Sequence, residues 1–195
     1  NSLEVVEAIE FLKGNLDNGD LAEVTYSIAA MTLLQLDLYD NISEASAYLK
    51  NLVHSGKALE KFRELIIAQG GAAEVIDNYD KFTLPCYKVE CESKKNGYIQ
   101  NINAHNVSCA VKALGAAREN SSKPIDLSVG IFLNKKSGEY VKKGEILYTI
   151  YSNNEDATKI AQRYCDEAFS INETRPSHNN LIYKIISTKD EDDNV

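Results

Sequence analysis

A chain of 195 residues, 44% hydrophobic and 26% charged, has the composition of a globular protein with one large or two small domains. Three Pro and ten Gly exclude long linkers, and no apolar run approaches the roughly 18 residues that a membrane helix requires. The formal net charge of −8, without a basic stripe or an Arg-flanked aromatic platform, argues against nucleic acid as a partner.

The chain opens on Asn1, its only Met is Met31, and it enters a helical pattern at once, so it reads as the carboxyl part of something longer. Leu3, Val6 and Ile9, with Val5 and Leu12 alongside, make one apolar stripe. The stretch 14–19, with Asn15, Asp17, Asn18 and Gly19, predicts a turn. A long apolar helix over 21–39 follows; its Ala29-Ala30 pair permits close packing, and burial on most sides is expected. Helices over 43–54 and 57–69 come next, with Gly56 and Gly70-Gly71 as stops. His54, at a helix end, is expected to cap that end rather than act as a base.

Near Pro85 the composition changes. Strand-like runs cover 86–91, 97–101, 125–133, 146–152 and 180–187, and helices are predicted over 103–117 and 154–169. Helices and strands are segregated rather than alternating, which defines an α+β class with a boundary at 80–86. The tail Asp190-Glu191-Asp192-Asp193 has no apolar partner and is expected to stay solvated.

Cys86 and Cys91 have the outer spacing of a metal knuckle, but no second Cys or His pair completes it. In a strand, residues five apart also point to opposite faces. Cys86, Cys91, Cys109 and Cys165 are therefore expected to be buried, reduced thiols. His105 and His178 have no recognisable partner and are expected to face solvent. Sequons at Asn41, Asn106, Asn120 and Asn172 are read as accidental.

The sharpest local signal is the run from Lys135 to Ile150, punctuated by Gly138 and Gly144 and carrying Val141, Ile146 and Leu147. Its Gly-acid-x-Val-x-Lys-Gly-x-x-Leu pattern resembles small biotinyl/lipoyl β-sandwiches, although the Met-Lys-Met or Asp-Lys-Ala of such carriers is absent. A second signal joins Leu114-Gly115-Ala116-Ala117-Arg118 to Ile125-Asp126 and Val129-Gly130; Arg118 is expected to pair with Asp126 and fix that loop. No Gly-x-x-x-x-Gly-Lys-Ser/Thr, Gly-x-Gly-x-x-Gly, Gly-x-Ser-x-Gly or His-Glu-x-x-His motif occurs, and no pair of carboxylates can be assigned to acid–base work.

Taken together, Asn1-Ser2-Leu3-Glu4-Val5-Val6-Glu7-Ala8, Ser55-Gly56-Lys57-Ala58, Phe62, Ala68-Gln69-Gly70-Gly71, the 114–130 signal and the 138–147 hairpin resemble the pyrimidine-nucleoside and thymidine phosphorylases in one collinear order. The resemblance implies an architecture. Residues 1–82 would be the helical remainder of a large α/β domain, and 83–188 the family's C-terminal, barrel-sandwich, biotinyl/lipoyl-like domain. Residues 189–195 would be an acidic disordered tail.

It also implies a reaction, in which a pyrimidine nucleoside and phosphate give the free base and a pentose 1-phosphate, run by a cytoplasmic homodimer. The resemblance implies that the family's phosphate site, a Lys-x-Ser beside a Gly-rich loop, and its base-binding Arg and Ser-x-x-x-Lys set lie upstream of Asn1, so no catalytic or cofactor-binding residue is assigned. The chain alone is expected to be inactive and to work with the N-terminal part of the same protein. Only Glu7 matches a functional position, as a ligand of a structural cation, potassium or calcium, in the parent. Ala117 stands where the family usually has Gly; a left-handed backbone there would cost about 1 kcal/mol. The competing expectation is a non-enzymatic biotinyl/lipoyl-like binding or interaction module.

Overall fold

A computed structural model describes residues 1–117, 124–177 and 181–186 of the chain. Arg118, Asn120, His178 and the acidic segment 189–195 lie outside the described residues. The elements run α1 (Ser2–Leu12), α2 (Asp20–Gln35), α3 (Ile42–His54), α4 (Lys57–Ala68), 3-10 turns at Ala73–Ile76 and Tyr79–Lys81, β1 (Tyr87–Glu92) and β2 (Gly97–Ile102). They continue as α5 (Ala104–Ala113), β3 (Gly130–Leu133), β4 (Tyr140–Val141), β5 (Ile146–Ser152), α6 (Glu155–Ala168) and β6 (Phe169–Asn172). This mixed helix and sheet content is that of the expected α+β class. Contacts divide the chain into two compact units, one of Asn1–Glu7 with Ala72–Ser177, the other of Ala8–Gly71 with the described residues beyond 177.

In the helical unit, Phe11, Ala22, Tyr26 and Val53 form a buried cluster flanked by Leu12, Leu21, Leu49 and Ala58. The Phe11 and Tyr26 rings lie 5.4 Å apart in a tilted arrangement, and the Tyr26 hydroxyl donates to Asp17 at 2.7 Å. Asn41 caps α3 by accepting from the Glu44 amide at 2.9 Å. Two expectations fail in α2. The helix stops at Gln35 because Asp37 turns left-handed, at φ 55°. The Leu38 amide then reaches the Leu33 carbonyl and the Asp37 amide the Leu34 carbonyl, both at 3.0 Å, which is the Schellman closure. With Asp where a Gly usually sits, that stop carries no ordinary sequence signal. Nor is α2 covered on most sides: Ala22, Tyr26 and Ala30 are buried, whereas Ile28 is 62% exposed.

The mixed unit holds two three-stranded antiparallel sheets among the described residues, ordered β1-β5-β3 and β4-β2-β6. In the first, Val89 faces Ile150 and Cys91 faces Tyr148, and across β5 Ile131 and Leu133 meet the same two residues. One face therefore alternates into the core. In the second, Ile99 pairs with Ile171 and Gly97 with Val141. Helices α5 and α6 pack together, and Ala110, Leu114, Ala161 and Cys165 join Ile99, Val141 and Ile150 in one buried cluster. Gly97, at φ 147°, runs so close to β6 that an added Cβ would lie 2.6 Å from the Asn172 carbonyl oxygen.

The strands differ from expectation in four places. The strand over 125–133 begins only at Gly130, because Asp126 accepts from the Ser128 amide and turns the chain. β4 is two residues long, too short for a periodic signal, and β6 starts at Phe169 directly out of α6. Residues 181–186 form no strand, contrary to the expected strand over 180–187.

Candidate functional site

Two of the segments that carry the family resemblance, the opening motif and the 114–130 signal, meet in the mixed unit; Ser55–Ala58, Phe62 and Ala68–Gly71 belong to the helical unit. The first turn of α1 is tied to the loop before β3: the Ser2 amide and hydroxyl both donate to the Leu127 carbonyl, at 3.0 and 2.8 Å. Leu3 packs over Gly130, where an added Cβ would approach Leu3 Cδ1 to 3.1 Å. Asn1 reaches the Ala116 carbonyl at 3.4 Å. Thus the opening motif, the Leu-Gly-Ala-Ala segment and the Asp126 loop form a single junction.

Asp126 organises it. Its Oδ1 accepts from the Ser128 amide at 3.0 Å and hydroxyl at 2.7 Å, and its Oδ2 from Asn153 Nδ2 at 2.8 Å. Asn153 also donates to Ser128 Oγ at 2.8 Å, while its own Oδ1 accepts from the Cys86 amide at 2.8 Å. Partial burial alone would raise the Asp126 pKa. The hydrogen bonds from Ser128, Asn153 and the Val129 backbone outweigh it and hold the carboxyl below its usual range. The expected Arg118–Asp126 pair lies outside the described residues through Arg118. Among the described residues, the partners of Asp126 are neutral donors. Ala117 does not adopt a left-handed backbone, so the strain foreseen for an Ala at the family's Gly position is absent.

Glu7 is exposed on α1, and no group of three or more metal-ligating side chains occurs among the described residues. The hairpin around β4 turns as its glycines demand, with Gly138 at φ 90° and Gly144 at φ 89°. The acid of each Gly-Glu step has a local task. Glu139 accepts from the Lys136 amide at 2.8 Å, and Glu145 from the Lys142 amide at 2.9 Å.

The remaining sequence candidates disperse. His54 pairs with Asp17 at 3.1 Å, while Ser55 is the residue at the α3 C-cap. His105 is exposed, with its Nε2 3.6 Å from Cys109 Sγ. All four cysteines are free, but only Cys91 and Cys165 are buried; Cys86 is exposed and Cys109 half-buried, because they sit at a strand entrance and on the outer side of α5. Burial pushes the Cys165 thiol up to about 12, and burial also raises Cys91, offset in part by the Tyr148 hydroxyl. Neither thiol is ionised at neutral pH, so neither serves as a nucleophile.

Sequence reasoning missed two arrangements. One is the Asn153 hub, hidden inside a Ser-Asn-Asn-Glu run that advertises only the start of α6. The other is a chain from Tyr148, whose buried hydroxyl donates to Asp166 at 2.6 Å, to Lys94, which meets the other Asp166 oxygen at 2.7 Å.

Residues 98–172 match the family described as the pyrimidine nucleoside phosphorylase C-terminal domain. Over 187 residues, 96% of the chain, it is 37% identical to a pyrimidine-nucleoside phosphorylase of Staphylococcus epidermidis. It is 37% identical over the same length to one of Staphylococcus aureus. Each match covers 42% of the relative, so the chain spans less than half the length of these relatives. Residues 98–172 are thus similar to that C-terminal domain, and the chain as a whole resembles the C-terminal portion of pyrimidine-nucleoside phosphorylase.

Proposed function

We propose that this chain is the C-terminal scaffold of a pyrimidine-nucleoside phosphorylase, a pentosyltransferase converting a pyrimidine nucleoside and phosphate to the free base and a pentose 1-phosphate. The observation that carries the reading is collinear 37% identity along 96% of the chain, helical and mixed units alike. The parent enzyme works as a cytoplasmic homodimer that accepts thymidine, uridine or both. In it, residues 83–188 form a barrel-sandwich domain of the biotinyl/lipoyl kind, a reading supported by the shared core of the two sheets and the paired glycine turns.

By itself the chain is inactive. Lys-x-Ser occurs here only at Lys135-Lys136-Ser137, between β3 and β4, and Ser-x-x-x-Lys only inside α3 (Ser46–Lys50) and α5 (Ser108–Lys112); we read none of them as the family's phosphate or base site, and phosphorolysis depends on holding the anion and stabilising the departing base. Glu7 supplies one carboxylate to a structural potassium or calcium site whose other ligands come from the rest of the enzyme.

Two assays test this. The purified chain, given uridine or thymidine with phosphate, releases no free base; turnover comparable to an intact relative overturns the assignment of inactivity. A chimera in which the chain replaces the C-terminal portion of the S. epidermidis enzyme retains phosphorolysis. A soluble, folded chimera without activity overturns the scaffold reading. In that chimera Glu7→Gln weakens stabilisation by added potassium or calcium, and an unchanged ion response removes Glu7 from the site.

A further inference from the structure

The sequence holds the dipeptide Asn-Gly twice, at Asn18-Gly19 and Asn96-Gly97. Both asparagines are exposed, yet the fold treats the two pairs differently. Asn96 Oδ1 accepts from the Lys143 amide at 2.8 Å, and Gly97 is already buried in β2, with its backbone against the Asn172 carbonyl. Asn18 has no side-chain partner among the described residues, and Gly19 stands exposed just ahead of α2, using only its carbonyl, which accepts from the Glu23 amide at 3.1 Å. The residues before it are anchored, since Asn15 donates to Glu10 at 2.7 Å and Asp17 takes the Tyr26 hydroxyl and His54, and α2 begins directly after it at Asp20. Asn18-Gly19 is thus the loose link in an otherwise pinned turn.

We propose that Asn18 is a site of spontaneous covalent modification, deamidation through a succinimide, and that Asn96 is shielded from the same chemistry. In the reaction the deprotonated Gly19 nitrogen attacks the Asn18 side-chain carbonyl carbon; the new C–N bond closes a five-membered imide and ammonia leaves with the amide nitrogen. Water then opens the imide at either carbonyl, giving aspartate or isoaspartate, so amide plus water becomes acid plus ammonia. Glycine favours the attack because no Cβ hinders its nitrogen, and Gly19, the N-cap of α2, enters the helix ladder through its carbonyl and not through its amide. At Asn96 the same step requires breaking the Lys143 contact and pulling Gly97 out of its strand. The product places a new carboxylate beside Asp17, and the isoaspartate form adds a methylene to the main chain between the Asp17 anchor and α2.

The test is incubation of the folded chain at mildly alkaline pH, with peptide mass spectrometry and enzymatic isoaspartate detection over time. Asn18 converts faster than Asn96 by roughly tenfold or more in the folded chain, because loops open at little cost and strands do not. In urea the two rates come within a few-fold of each other. Asn18→Gln removes the Asn18 product and leaves the Asn96 rate unchanged. Equal rates in the folded chain, faster conversion at Asn96, conversion of neither, or a preference that survives urea would overturn the proposal.

Discussion

The two compact units solve the burial problem differently. The mixed unit gathers eleven buried residues from both sheets and both helices into one cluster among the described residues. The helical unit gathers four, and leaves Ile28, Leu36, Leu38, Leu65 and Ile67 more than half exposed. Stability scales with apolar area removed from water, at about 25 cal/mol per Å². The mixed unit is therefore the more self-sufficient of the two, and hydrogen exchange should find its amides protected by the larger opening free energy.

The largest effect that would break this contrast lies in β5. Ile150 is fully buried between Val89 and Ile131, and Ile150→Ala leaves a cavity that the two flanking strands cannot close. A loss of about 3–4 kcal/mol is expected in urea unfolding followed by tyrosine fluorescence. A loss below about 1 kcal/mol would mean that the mixed unit is loosely packed and the contrast fails. Next comes Gly97→Ala, where the backbone itself must shift from Asn172; roughly 2–3 kcal/mol is expected, with faster exchange confined to β2 and β6.

How much of this was legible beforehand follows from the range of the forces involved. The α+β class, α1, α3, α4, α6 and most of β1, β2 and β5 are written in local periodicity and caps, and they appear where expected. The end of α2 was not, because an Asp in place of Gly closes it. β4 and β6 were missed because their formation depends on pairing with β2, a partner distant in sequence. The junction was half legible: the motifs around Ser2, Gly115 and Asp126 stood out singly, but nothing in their spacing said that Ser2 would bond Leu127 or that Asn153 would bind Asp126.

That junction supplies a smaller, sharper test. Asn153→Ala strips partners from Asp126, Ser128 and the Cys86 amide at once, with an expected loss of about 1–2 kcal/mol. Asp126 adds a pH signature. Its pKa is lower folded than unfolded, so its contribution is present above the unfolded carboxyl range and is lost as pH falls through that range toward the folded value. Asp126→Asn should flatten the acid side of the stability profile of the mixed unit; an unchanged acid slope would assign that slope to other carboxylates.

The smallest effect is expected on the open face of α2. Ile28 is 62% exposed, so Ile28→Ser removes little buried surface and should change the stability of the isolated chain by less than about 0.5 kcal/mol. In the chimera proposed above, the same substitution distinguishes two roles for that face. A loss that stays near zero means the face is solvated there as well. A loss of about 1–2 kcal/mol confined to the chimera means that the remainder of the enzyme covers it, since burying such a side chain is worth that much. The self-sufficiency assigned to the mixed unit would then have a physical counterpart: a helical unit whose apolar surface is completed by residues from outside this chain.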